Sequence, residues 1–330
     1  MSGVEIVFVG KGKAELCAYE DAPLGVSYVG GRTLATLISP GTELAWLNGE
    51  AFPIRPGYAA VFEVEEVGAD VKGVQVGERR FCMGGHRSTQ QFEARHTLPL
   101  PKDLATSSAL IARLMGVSMT TLMTTHARPG DKVVVTGAGP VGFLAAQQFD
   151  LAGYDVLVVE PSAERRQRIV ASGLKNVAAA MPLDDESLRG KVALVVECSG
   201  HEQAVLDACN IVRKQGEVVL VGVPWSARTS VLAHEVCKAV FFNYVVLRSG
   251  WEWALPLHAR GFVWEELYEG YNNASQSIYS GFEKALGWLA AGRIPLHGLM
   301  RTRSPREPGP LYASLVRGEF AETFTVLDWS

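Results

Sequence analysis

The sequence predicts an α/β protein in which a mostly β domain is joined to a doubly wound parallel sheet. Two observations carry that expectation. Residues 1–115 hold short β-prone runs broken by Gly and Pro, whereas from Pro129-Gly130-Asp131 onward apolar runs of strand length alternate with segments of helical period. A glycine-rich turn also joins the first strand of the second part to its first helix, the kind of junction where such sheets bind ligands. A chain of 330 residues exceeds the usual size of one hydrophobic core, so two domains are expected.

The early β-runs cover residues 4–9, 33–38, 60–67 and 79–83. They are punctuated at Gly30-Gly31, Ser39-Pro40-Gly41, Arg55-Pro56-Gly57 and Pro99-Leu100-Pro101. In the second part, Val133-Val134-Val135 leads into the glycine turn and a helix over residues 140–152. A strand at 156–159 and a helix at 164–171 follow, with further strands at 193–196, 218–221 and 245–247. Short continuous Val/Leu runs of this kind suit a parallel sheet covered on both faces. Beyond residue 255 the pattern is mixed, with a helix expected at 282–291. The expected domains are 1–119, 120–255 and a C-terminal segment, 256–330, that completes the first.

Composition excludes several classes. The chain is 48% hydrophobic and 20% charged, with a formal net charge of −4 and no long basic run, so it has no electrostatic footprint for nucleic acid. No apolar stretch is long enough to span a membrane, and residues 1–12 lack the basic-then-apolar pattern of a secretory leader. The five cysteines, Cys17, Cys82, Cys198, Cys209 and Cys237, are odd in number and form no CxxC pair. Neither a disulfide framework nor a structural zinc site is expected, and a cytoplasmic setting fits best. The sequon Asn273-Ala274-Ser275 lacks secretory context and reads as chance.

Gly137-Ala138-Gly139-Pro140-Val141-Gly142 directly follows a strand and opens a helix. The glycines allow a tight turn, close approach of a pyrophosphate and close helix–strand packing, while the helix N-terminus offers its positive end. The next strand ends at Glu160, where a carboxylate would hold the adenosine ribose hydroxyls. Together these make a Rossmann-type dinucleotide site. Glu160 repels a ribose 2′-phosphate and favours NAD(H), although Arg165 and Arg166, one turn further on, could serve NADP(H) instead. Ser199-Gly200, Gly222-Val223-Pro224 and Ser249-Gly250 end later strands and are expected to flank the same cofactor.

At this point the sequence resembles the medium-chain dehydrogenase/reductase superfamily over essentially its whole length. The resemblance rests on Ser39-Pro40-Gly41-Thr42-Glu43, Pro56-Gly57-Tyr58, Val64-Glu65-Glu66-Val67-Gly68, Val76-Gly77-Glu78-Arg79, the fingerprint itself, Glu197-Cys198-Ser199-Gly200 and Val221-Gly222-Val223-Pro224. The Ser-Pro-Gly-Thr-Glu form is similar to the branch of bacteriochlorophyllide dehydrogenase-like proteins and enzymes of specialised metabolism. The resemblance implies a GroES-like β domain with an inserted Rossmann domain. It also exposes departures. Zinc-dependent members carry a Cys where this chain has Pro40, Gly-His-Glu where it has Gly57-Tyr58-Ala59, and a third ligand near Met115 or Gly116. The four-cysteine zinc loop is missing too, so no metal is expected, and the lone Cys82 reads as a small buried apolar residue.

Without zinc, polarising a carbonyl falls to hydrogen-bond donors. Thr42 matches the hydroxyl that relays protons in the zinc enzymes, Tyr58 stands at a ligand position, and His86 is a third candidate donor. Each also has a plain structural reading: Tyr58 as a packed aromatic, Thr42 as a turn cap and His86 as a histidine bound to backbone. Glu43 reads as a buried anchor as readily as a base. Trp46, Trp225, Trp251 and Trp253 would form a large apolar substrate pocket if they converge, or else core or dimer contacts. Residues 240–247 read as an aromatic strand that would invite pairing with a second copy, so a homodimer is expected. Residues 257–280, with Trp264, Tyr268, Tyr271 and Tyr279, face substrate, solvent or a partner.

The reading that follows is a zinc-independent dehydrogenase acting on an alcohol/ketone pair in a medium-sized small-molecule metabolite. The alternatives are reduction of a conjugated C=C or C=N bond, and a nucleotide-binding sensor or interaction protein without turnover.

Overall fold

The computed structural model describes residues 2–261 and 276–330. The chain forms two compact units. One comprises Met1–Arg113 with Leu286–Ser330, and the other, Leu114–Ala285, is inserted between those segments.

In the first unit, β1 (Ser2–Gly10) and β2 (Lys13–Glu20) form an antiparallel hairpin. There follow β3 (Tyr28–Leu37), α1 (Pro40–Leu47), β4 (Ala60–Val67), β5 (Arg79–Cys82), β6 (Thr89–Glu93) and β7 (Thr97–Pro99), then α2 (Thr106–Thr124). The β expectation holds for the strands, but two helices in this part were not legible. Ser39-Pro40-Gly41 is not a simple turn; it opens α1, with Pro40 at the first helical position, where its missing N–H costs nothing. The 19-residue α2 is almost uniformly apolar along residues 109–115, so it lacks the amphipathic alternation that marks a surface helix.

The second unit is built from β8 (Lys132–Thr136), α3 (Pro140–Leu151), β9 (Asp155–Val159), α4 (Ala163–Ala171), β10 (Val177–Ala178), β11 (Val192–Glu197), α5 (Glu202–Ile211), β12 (Val212–Leu220), α6 (Ala233–Asn243) and β13 (Val246–Ser249). The six strands are parallel in the order β10-β9-β8-β11-β12-β13. Strand order reverses between β8 and β11, and their carboxyl ends make the crevice where ligands of such sheets sit. Val134, Val195, Val218, Cys209 and Ile211 pack into one core cluster of this unit.

Residues 240–247 correct one expectation. They do not form one strand: 240–243 finish α6, Tyr244 adopts a left-handed conformation (φ 55°) that ends it, and β13 begins at Val246. A continuous apolar run carries no period to separate helix from strand. β13 is nonetheless the edge of the sheet, and Phe241, Phe242, Tyr244 and Val246 are exposed beside it.

The chain continues through α7 (Ile278–Ala290), β14 (Met300–Arg303), α8 (Pro308–Val316) and β15 (Phe324–Asp328). The two divisions between units fall inside α2 and α7, compared with the expected 119/120 and 255/256. Gly116 of α2 lies directly against Phe282 of α7, where a side chain would collide with the ring. β15 pairs with β3 and gives the first unit a sheet ordered β14-β15-β3-β4-β5-β7, with β6 also on β3. Ile6, Phe8, Ile38, Leu47, Tyr312 and Leu327 close its core around α1 and α8. Of the aromatics grouped at 257–280, Tyr279 is buried in α7, while Trp264, Tyr268 and Tyr271, like the sequon, lie outside the described residues. Among the described residues no helix is long and apolar enough to cross a membrane.

One buried ion pair ties the edge strand of the second unit to its neighbour. Glu217 of β12 accepts from the His126 amide at 2.5 Å and from Arg248 Nε of β13 at 3.0 Å. Burial pushes its carboxyl up, but the His126 amide and the Arg248 guanidinium outweigh burial and hold it below the usual glutamate range. A carboxyl whose folded value is depressed stabilises the fold above its unfolded value, about 4.3, and loses that contribution as pH falls through the folded value. Glu217→Gln is therefore expected to cost about 2 kcal/mol at pH 7. Thermal unfolding across pH should show the gap to the unaltered protein narrowing below about pH 4.

Candidate functional site

In the first unit the site is organised by one carboxylate. Glu43, on α1, is fully buried. Its Oε1 accepts from the Ser39 amide at 2.7 Å, and its Oε2 accepts from the Tyr312 hydroxyl at 2.5 Å. His86 Nε2 lies 3.2 Å from both oxygens. On the other side of the ring, His86 Nδ1 is 2.8 Å from Thr36 Oγ1, which accepts from Trp329 Nε1 at 2.9 Å. A carboxylate can only accept, so Nε2 carries the ring hydrogen and donates it to Glu43; the Thr36 hydroxyl, which accepts from the indole, still has its own hydrogen to give to Nδ1. Burial and the adjacent Glu43 charge push the Tyr312 phenol well above the usual tyrosine range, so it stays a donor.

Tyr58 sits beside this network. Its hydroxyl donates to Ser39 Oγ and lies 3.5 Å from Thr42 Oγ1. The Arg113 guanidinium lies over its ring at 4.6 Å, and Trp46 meets it edge-on at 6.2 Å. Burial pushes the phenol up; the Ser39 and Thr42 hydroxyls and Arg113 pull it back, and burial prevails. Gly57 makes the arrangement possible. Its φ of +92° suits glycine, and a Cβ there would stand 2.7 Å from the His86 amide nitrogen and 2.9 Å from Nδ1.

Thr42, Tyr58 and Trp46 are thus brought together. His86, the third proton-donor candidate, is 1% exposed with both ring nitrogens engaged inside the fold. The neighbouring Cys82 is fully buried in β5, and burial pushes its thiol far up, which keeps it inert. Among the described residues no group of three or more His, Cys, Asp or Glu side chains is placed to hold a metal ion.

In the second unit the glycine turn follows β8. Gly137 has φ +82°, Gly139 caps α3 with open space where a Cβ would stand, and Pro140 begins the helix. Gly142 is required by contact: a Cβ there would lie 1.9 Å from the Gly137 carbonyl oxygen. Ala138 and Val141 complete the turn, and the Ala138 amide donates to Glu160 Oε2 at 2.7 Å. The other Glu160 oxygen accepts from the Ser162 amide at 2.8 Å. Arg165 is an exposed ion-pair partner 3.7 Å from Glu160, and Arg166 is bound to the carbonyls of Glu160 and Pro161 at 2.7 Å.

Glu197, at the end of β11, is 1% exposed and collects donors from three places. Its Oε1 accepts from the Thr136 hydroxyl at 3.2 Å, from the Ser199 amide at 2.7 Å and from the Ser199 hydroxyl, and the Gly200 amide lies 3.1 Å from both oxygens. Its carbonyl oxygen accepts from the amides of Val221 and Gly222. One residue thereby fixes the turns after β11 and β12. Val223, Pro224 and Trp225 are exposed beyond β12, and Ser249 ends β13 with its hydroxyl accepting from the Trp251 amide at 3.1 Å. Trp225, Trp251 and Trp253 are 51%, 62% and 42% exposed, so they are not part of the second unit's core.

Sequence reasoning missed Ser39 as a partner of Tyr58, and Thr36, Arg113, Tyr312 and Trp329 altogether. Only Ser39 carried a signal, its place before Pro40 at a helix start. The other four are distant in sequence.

The comparisons bear on both units. Residues 115–250 match the family described as glucose dehydrogenase C-terminus. A putative D-xylulose reductase of Agrobacterium fabrum is 29% identical over 140 residues, 40% of this chain and 39% of that protein. The sorbitol dehydrogenase of Halalkalibacterium halodurans is 27% identical over 214 residues, 52% of this chain and 62% of that protein. The chain therefore spans about two fifths of the first relative's length and about three fifths of the second's. The solved structure of galactitol-1-phosphate dehydrogenase from Escherichia coli is similar over 98% of this chain and 99% of that one, with a TM-score of 0.81 at 16% identity. Bacillus subtilis 2R,3R-butanediol dehydrogenase is similar over 99% of both chains, with a TM-score of 0.76 at 16% identity. These likenesses establish the α/β fold of medium-chain dehydrogenase structures, with a parallel Rossmann-type sheet and a β-rich GroES-like domain.

Gly57→Ala is expected to cost about 1–3 kcal/mol, since the new side chain meets both an unfavourable φ and the His86 ring. A melting temperature within a degree of the unaltered protein would refute this account of why glycine stands there.

Proposed function

We propose that the protein is a zinc-independent, NAD(P)-dependent oxidoreductase of the medium-chain dehydrogenase kind. It would move a hydride between nicotinamide and an alcohol/ketone pair in a small or medium-sized metabolite. The observation that carries this reading is Tyr58: a phenol held by two hydroxyls and covered by a guanidinium, at a position where zinc enzymes of the resembled family keep a ligand.

The cofactor residues suit a dinucleotide. Gly142 lets α3 pack against the Gly137 carbonyl, Gly139 leaves open space before the N-terminus of α3 where a pyrophosphate would sit, and Glu160 follows β9 where ribose hydroxyls would be read. The nicotinamide, when bound, supplies or accepts the hydride. NAD(H) is favoured, because Glu160 is a buried carboxylate and Arg166 is already committed to backbone carbonyls. Zinc does not suit the residues present: Pro40 and Ala59 offer no side-chain ligand, and the polar atoms of Glu43 and His86 are used on each other, Ser39, Thr36 and Tyr312. The reduced carbonyl oxygen takes its proton from Tyr58, supported by Thr42, while His86 acts indirectly by fixing Glu43 and α1.

The named relatives, a D-xylulose reductase and a sorbitol dehydrogenase, support a secondary alcohol of a polyol as the substrate class. The exposed tryptophans Trp225, Trp251 and Trp253 leave room for a bulkier one. Five free thiols suit a reducing cytoplasm. The open edge of β13, flanked by exposed Phe241 and Phe242, suits pairing with a second copy.

Titration with NADH and NADPH, followed by quenching of tryptophan emission, should show NADH binding at least about tenfold tighter, or 1.4 kcal/mol. Tyr58→Phe should lower kcat about a hundredfold or more and leave the NADH Kd unchanged. Full turnover in that variant would remove Tyr58 from the reaction, and binding of neither nucleotide would remove the oxidoreductase reading. Sedimentation should find a dimer at micromolar concentration that Phe241→Asp dissociates; a monomer throughout would end the edge-pairing assignment.

A further inference from the structure

We propose that Ser39 and Arg113 together set the acidity of the Tyr58 phenol, Ser39 acting at its oxygen and Arg113 at its ring face. The inference rests on the reading of Tyr58 as proton donor, and it assigns a task to two residues to which neither motif nor resemblance gives one.

Ser39 behaves unlike an ordinary helix N-cap. Such a serine turns its hydroxyl onto an amide of the first helical turn. Here the side chain makes no capping bond. The reach-back contact belongs to Glu43, whose carboxylate takes the Ser39 amide at 2.7 Å, and this ties down the Ser39 backbone while its hydroxyl serves Tyr58. Thr42, at 3.5 Å, stands at the limit of a hydrogen bond, so Ser39 is the stronger partner. Ser39 is 8% exposed, which shields the contact from competing water.

When the substrate oxygen takes the proton, the phenol O–H bond breaks and a substrate O–H bond forms. The electron pair stays on the Tyr58 oxygen as phenolate, to be reprotonated from solvent. The phenolate can only accept. A serine hydroxyl rotates freely and can reverse from acceptor to donor without moving its oxygen. Arg113 lies 4.6 Å from the ring centre at 4% exposure, where a positive charge favours the anion more strongly than it would in water. The opposing charge is Glu43 on α1, and it is already engaged by Tyr312, His86 and the Ser39 amide. Burial raises the phenol, and Ser39, Thr42 and Arg113 each lower it.

The test labels the protein with fluorinated tyrosine and assigns the Tyr58 fluorine resonance by its loss in Tyr58→Phe. Titrating that resonance in the cofactor-free protein reads acidity independently of turnover. Ser39→Ala should move the midpoint upward by about one unit, the size of one hydrogen bond to a charged group. Ser39→Thr should restore it, and Arg113→Met should move it upward as well. The alkaline limb of ketone reduction, where the donor loses its proton, should shift upward by the same amount in each variant. Because the Ser39 hydroxyl does not cap α1, Ser39→Ala should keep its melting temperature, and Ser39→Thr keeps the test decisive if it does not. An unmoved Tyr58 midpoint in both Ser39→Ala and Arg113→Met overturns the proposal while leaving Tyr58 as donor. Full activity in Tyr58→Phe, with the midpoint shifting as described, instead defeats the donor reading alone.

Discussion

The buried carboxylate of Glu43 is the constraint on which the first unit depends. An ionised carboxylate out of water is costly unless its lone pairs are filled, and Glu43 fills them from three places. It takes the backbone amide at the start of its own helix, an imidazole from the loop after β5, and a phenol from α8. The imidazole leads on through Thr36 of β3 to Trp329 after β15. Withdrawing any donor of this set weakens the satisfaction of a carboxylate that has no water to replace it. Helix α1 is thereby fixed in angle and register, and with it Ser39 and Thr42, which hold Tyr58.

The second unit uses the same device at a different place. Glu197 ends a central strand of a parallel sheet, where three turns must be held close together in an open crevice. Its carboxylate gathers the amides and hydroxyls of Thr136, Ser199 and Gly200, and its carbonyl takes those after β12. In the glycine turn the constraint is steric instead: Gly142 packs against the Gly137 carbonyl oxygen, a contact that any side chain would block.

Much of this was legible in the sequence, for a definite reason. Strand runs of Val and Leu, the glycine spacing and the acidic residue after β9 are local patterns, and local backbone geometry dictates them. The helices α1 and α2 and the end of α6 were not legible. Pro40 permits a turn or a helix start equally, α2 lacks a polar face, and residues 240–247 have no period. His86 stood out as a proton-donor candidate because of its residue type; that it is buried between Thr36 and Glu43 was not legible, since those partners lie 50 and 43 residues away.

The sequence by itself determined that the chain carries a glycine-rich strand–helix turn on a parallel sheet and lacks polar side chains at Pro40 and Ala59. Both follow from which residues occupy consecutive positions. Only the tertiary structure decided which groups surround Tyr58, because Ser39, Arg113 and the Glu43 network with Thr36, His86, Tyr312 and Trp329 meet across the whole length of the chain. The acidity of a side chain depends on burial and on neighbours in space, and those of Tyr58 are brought to it by α1 and α2.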